Sequence, residues 1–128
     1  MSITTNPAFP FVRDRLHSVR GERVPEKMLY PSLDMIAAKL LAIPAGKRID
    51  LIGIRADMAR EHDASSSCPV TTQRHMKAIA AETVAAMQAG KASSEVVPFW
   101  RALDPERPGT ARYAGGAEFV RARLAEDR

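Results

Sequence analysis

The chain has 128 residues, 45% of them hydrophobic and 27% charged, with a net charge of +4. That length suits one domain able to bury its own core without disulfides or a metal, and no apolar run is long enough to predict a transmembrane helix. The one cysteine excludes an internal disulfide, and MSITTNPAFPFVRDRL lacks the basic-then-apolar order of a signal peptide, so the expected location is cytoplasmic, away from membranes.

Residues 1–31 read as an irregular N-terminal arm that packs on the main body. Pro7, Pro10, Pro25 and Pro31 punctuate it, and only FVRDRLHSV could hold a short helix. From Ser32 the chain becomes regular. Ser32 can cap a first helix with Leu33, Ile36, Ala37, Leu40 and Leu41 on one apolar stripe. Pro44 and Gly46 end it. The segment KRI is expected as a short strand. Asp50 then caps a second helix, LIGIRADMAREH, with Leu51, Ile54 and Met58 inward.

After the loop ASSSCP, Thr71 or Thr72 caps a third helix. Met76, Ile79, Ala80, Thr83, Val84 and Met87 follow the helical period, and Gly90 closes it. An extended piece, EVVPFWRAL, a turn rich in proline and glycine, and a last helix from about Ala117 to Glu126 complete the chain. Three helices followed by two short extended pieces give the order of a winged helix. The predicted fold is mainly α: a winged helix-turn-helix domain over 32–128 with a short β-wing, preceded by the arm.

The outer face of the third helix is unusual. Arg74, Ala78, Ala81 and Ala85 point away from the core stripe, where a solvated face ordinarily carries Lys and Glu. Small side chains allow close approach to another surface, and an arginine near the helix start can reach phosphates or a base stack. Alanine is also simply the best helix former, which accounts for the same pattern without a function.

Other candidates carry less. Cys68, His62 and His75 are three possible ligands where a structural zinc site needs four, so no metal is expected. Cys68 has no evident partner as a nucleophile, although a place at the start of the third helix would lower its pKa. Asp104, Glu106, Glu118 and Glu126 form no acid–base pair. The stretch YAGG (113–116) lacks the lysine and spacing of a phosphate loop, and no cofactor is expected.

The order of these parts resembles the DNA-binding domain of the alkylguanine-DNA alkyltransferases, and more closely the alkyltransferase-like proteins that lack the reactive cysteine. The resemblance spans about residues 33–126. The family turn I-P-x-G-K-V corresponds to Ile43-Pro44-Ala45-Gly46-Lys47-Arg48. The recognition helix with its arginine finger and small residues corresponds to Arg74, Ala78 and Ala81. The active-site motif P-C-H-R corresponds to Pro98-Phe99-Trp100-Arg101, and Y-x-G-G to Tyr113-Ala114-Gly115-Gly116, with Glu126 near the end of the final helix.

The departures are as informative. Phe99 stands at the alkyl-acceptor position and Trp100 at that of its histidine activator. Phenylalanine offers no lone pair, and indole is no base near neutral pH. Asp50-Leu51 stands where the family has T-Y, an aromatic associated with rotating the target nucleotide. The resemblance therefore implies a non-enzymatic protein of DNA repair that binds double-stranded DNA, including alkylated DNA, through Gln73, Arg74, Lys77, Ala78 and Ala81. A flipped base would stack in a pocket walled by Pro98, Phe99, Trp100, Arg101 and Tyr113. Partner repair proteins are implied in the same way. The alternative is a protein-interaction module that kept the fold and lost DNA binding.

Overall fold

The computed structural model describes residues 9–127. Four α-helices carry the core: α1 (Leu33–Leu41), α2 (Leu51–Glu61), α3 (Pro69–Gln88) and α4 (Gly116–Glu126). A three-stranded sheet, β1 (Phe11–Val19), β2 (Glu22–Tyr30) and β3 (Ser66–Ser67), stands against them in the order β1-β2-β3. Among the described residues, no helix is long and apolar enough to cross a membrane.

The N-terminal arm departs from the expectation of an irregular segment. Its described part is a regular antiparallel hairpin, with Phe11 opposite Tyr30 and Val19 opposite Glu22. Arg20 and Gly21 make the turn, both with positive φ (51° and 83°), which matches the right-handed twist of the flanking strands. Pro25 did not break the strand because its register keeps its missing N–H off the ladder. With Val19–Glu22 as the first hydrogen-bonded pair, Leu16–Pro25 falls on an outward-facing pair. On one face Phe11 stacks on Tyr30 at 4.6 Å with the Arg13 guanidinium near both rings. On the same face, Arg15 and His17 both lie near Glu26.

The base of the hairpin is anchored and its tip is free. Met28 and Leu29 are buried and pair in parallel with Ser66 and Ser67. The Cys68 N–H donates to the Leu29 carbonyl at 2.7 Å, and the Ser65 N–H to that of Lys27 at 2.8 Å. Residues 12–25 are exposed throughout.

The helices follow their sequence signals closely. The Ser32 side chain accepts from the Met35 N–H at 3.1 Å, and Asp50 Oδ1 from the Gly53 N–H at 3.0 Å, so both predicted caps are in place. Ile36 and Leu40 of α1 and Ile54 and Met58 of α2 are buried, whereas Leu41 lies outside the stripe and is exposed. In α3, Thr72, Met76, Ile79, Ala80, Thr83 and Val84 face the core. That helix starts two residues before Thr71. Pro69, with its preset φ, occupies the first turn, and Cys68 Sγ accepts from the Thr71 N–H at 3.5 Å as the cap.

The predicted β-wing is not there. Residues 47–49 form no strand and are held by an Ile49 N–H to Arg101 carbonyl bond of 3.0 Å. Residues 96–103 are likewise not a strand, and Phe99–Ala102 form a 3₁₀ turn. The reason is burial. Phe99 and Trp100 are adjacent and both have no exposed surface. A strand would send consecutive side chains to opposite faces, whereas a tight turn puts both into one core.

Candidate functional site

The segment Pro98-Phe99-Trp100-Arg101 forms the centre of the core rather than a pocket wall. Phe99 stacks on Phe119 of α4 with ring centroids 5.8 Å apart, and Trp100 meets both rings edge-on. The indole N–H of Trp100 donates to Asp127 Oδ2 at 2.9 Å. Arg101 grips the same carboxylate through Nε at 2.7 Å and Nη2 at 3.0 Å, and its Nη1 donates to the Ile43 carbonyl at 2.8 Å. One cluster thus joins the turn after α1, the 3₁₀ turn and the end of α4. The Arg101 hydrogen bonds hold the Asp127 pKa below the ordinary carboxylate value, against the opposing effect of burial.

This corrects the expected base pocket. Pro98, Phe99 and Trp100 are buried and offer no face on which a base could stack. Arg101 and Tyr113 do reach a cleft, but the Arg101 charge is already matched by Asp127.

That cleft, of about 680 Å³, opens between the start of α2, one edge of α3 and the loop 101–113. The first turn of α2 contributes Asp50, Leu51 and Ile52, and α3 contributes Gln73 and Lys77. Arg48, Arg107, Arg112 and Tyr113 complete the wall that matters electrostatically. Arg48 Nη2 donates to the Leu103 carbonyl at 3.1 Å, which fixes its guanidinium at the rim. Among the described residues Arg48, Lys77, Arg107 and Arg112 make no ion pair. The carboxylates of Asp50 and Asp104, the acidic residues of the wall, are engaged by backbone N–H groups of Gly53 and Glu106. Those two carboxylates keep their charge, and against Arg48, Lys77, Arg107 and Arg112 they leave the lining with an excess of positive charge. Lys77 Nζ lies 5.9 Å from the centre of the Tyr113 ring. Burial pushes the Tyr113 pKa up, so its phenol stays protonated and can donate.

The outer face of α3 adjoins this cleft. Gln73, Arg74, Ala78, Ala81 and Ala85 lie on the side of α3 away from its buried stripe, and Lys77 is half-buried at the edge shared with the cleft. All of these but Lys77 are exposed. Helical geometry puts Arg74 one step around the helix from Gln73, away from the core. The residues named from the sequence for DNA contact thus do share a surface. Sequence reasoning missed Arg48, Arg107 and Arg112. Their signal was an arginine excess in a loop dense in proline and glycine, which gives no period to read.

The remaining candidates stay apart. Among the described residues no three His, Cys, Asp or Glu side chains gather as a metal site requires. Burial works against ionisation of the Cys68 thiol. Hydrogen bonds from Thr71 and neighbouring backbone, with the Arg55 charge, outweigh it and hold the pKa below the ordinary thiol value. No family model, curated protein or solved structure matches the chain.

Proposed function

We propose that this protein is a non-enzymatic binder of double-stranded DNA of the alkyltransferase-like kind, using the outer face of α3 and the basic cleft beside it. The observation that carries the reading is the cleft itself: Arg48, Lys77, Arg107 and Arg112 line it without carboxylate partners among the described residues, next to the exposed Arg74 and the small side chains along its face. Phosphate oxygens are the natural ligands of such a surface, and a small-residue helix face permits close approach to a groove. A flipped base would meet Arg112 at the rim rather than Phe99 and Trp100, since Tyr113 too is buried. With Phe99 at the position of the alkyl acceptor, the protein binds and does not transfer.

Titration of fluorescent duplexes, with and without one alkylated guanine, separates the parts of this reading. Equal binding of both duplexes leaves a general DNA binder. Tighter binding of the alkylated one supports the lesion-recognising form. No binding of either at low salt removes DNA as the ligand.

A second reading, a protein-interaction module, draws on Ile52 at the cleft and Val70 on the first turn of α3. These apolar side chains are 59% and 62% exposed. It gains if both duplexes fail to bind.

A further inference from the structure

Three successive residues of α3 point three ways, because each is turned about 100° from the last. Gln73 faces the cleft and Arg74 faces outward. His75 faces the base of the hairpin, where its ring meets that of Phe9 edge-on at 4.9 Å. The outer face of α3 therefore lies between two walls, the cleft on one side and the hairpin on the other.

The hairpin wall is aromatic at its base and basic beyond it. Phe9 stacks on Phe11 at 5.5 Å and Phe11 on Tyr30 at 4.6 Å. The Arg13 guanidinium lies 5.3 Å and 5.8 Å from the centres of the Phe11 and Tyr30 rings. A run of contacts thus leads from His75, the neighbour of Arg74, out to Arg13. Arg20 stands in the turn, with Arg23 close behind it on β2. All three arginines are exposed, and none makes an ion pair among the described residues. The carboxylates of the hairpin do not cancel them. Glu26 lies near Arg15 and His17, and Asp14 stands opposite Lys27, which leaves Glu22 against three arginines.

A groove filled by a helix has phosphates along both sides. The major groove is about 12 Å wide and an α-helix with its side chains about 10 Å across, so one phosphate strand runs along each flank of the helix. We propose, on the reading of α3 and the cleft as a DNA surface, that the hairpin holds the strand opposite the one taken by the cleft, with Arg13 and Arg20 as its phosphate contacts. The aromatic stack keeps Arg13 on the face that meets His75. The exposed part of the hairpin, residues 12–25, carries Arg20 about 20 Å further along the duplex.

Duplex affinity measured against salt tests this, with circular dichroism on each variant. Arg13→Gln/Arg20→Gln should make the slope of log K against log salt shallower by about two, one for each phosphate left without its cation. Arg13→Lys/Arg20→Lys keeps both charges and should keep the slope. Lys91→Gln removes one charge beyond the C-terminal end of α3 and should also leave the slope as it is. If the double glutamine variant loses the hairpin, Arg20→Gln alone decides, with a slope shallower by about one. A wild type whose steep slope is flattened by Arg107→Gln but not by the hairpin variants overturns the inference and leaves the cleft as the DNA site. A slope lowered as much by Lys91→Gln as by Arg20→Gln overturns it too. A wild type that binds no duplex removes both.

Discussion

The indole N–H of Trp100 and the carboxylate of Asp127 are 2.9 Å apart, and this bond ties the middle of the core to the end of α4. Asp127 is at the same time clasped by Arg101 through two nitrogens. Truncating Trp100 to alanine opens a large cavity and leaves the carboxylate with one partner fewer. The expected loss is about 3–5 kcal/mol in urea unfolding, the range for large-to-small changes in a core. A loss below about 1 kcal/mol would contradict full burial. The same burial fixes the optical behaviour of the only tryptophan: its emission should be blue-shifted, poorly quenched by iodide and unchanged by saturating duplex.

The same carboxylate gives stability a pH dependence of known sign. Its folded pKa lies below its ordinary value of 3.8, because Arg101 and Trp100 bond the ionised form. The contribution is therefore complete above the unfolded pKa and is lost as pH falls through the folded one. Melting temperature should begin to drop below about pH 5 and go on dropping as pH falls through the folded pKa, and Asp127→Asn should start lower and drop less steeply. An equal slope in wild type and variant would show that other carboxylates govern acid unfolding.

How much was legible in the sequence depends on whether the signal was local. Ser32 and Asp50 were readable as caps because one side chain and one N–H three residues on decide the matter. The inward stripe of α3 was readable from its period. The hairpin was not, because Pro25 looks like a breaker unless the turn at Arg20-Gly21 has already set the register. Nor was the burial of Phe99 and Trp100, which depends on Phe119 and Asp127 at the far end of the chain. The cleft is a similar case. Arg48, Lys77 and Arg107 come together only through tertiary packing, and no stretch of sequence holds them side by side.

Substitutions on α3 test the groove helix without touching the core. Arg74 and Ala78 lie on the outer face, so changing them should leave stability within about 0.5 kcal/mol. Arg74→Ala should weaken duplex binding by about 1–3 kcal/mol, the cost of losing a base-contacting side chain. Ala78→Glu should weaken it comparably, by placing bulk and negative charge against phosphates. Unchanged affinity in both variants would take α3 out of the interface.

The position of Phe99 bears on chemistry. Incubation with a methylated duplex, followed by intact-protein mass spectrometry, should show no added methyl group. Cys68 is the side chain to watch, since its thiol pKa is lowered. A stable methyl gain mapped to Cys68 would make the protein an acceptor after all and move the reacting centre to the start of α3.

The most direct measurement is the salt dependence of duplex affinity. On the proposed reading, phosphates neutralised by Arg48, Lys77, Arg107 and Arg112 would release counterions, so log K should fall linearly with log salt between about 50 mM and 200 mM. Replacing Arg107 with glutamine leaves one phosphate without its cation and should make the slope shallower by about one. The predicted result is a steep slope in the wild type that flattens in the variant. Affinity indifferent to salt, or a slope unaltered by Arg107→Gln, would contradict the assignment of this cleft to the DNA backbone.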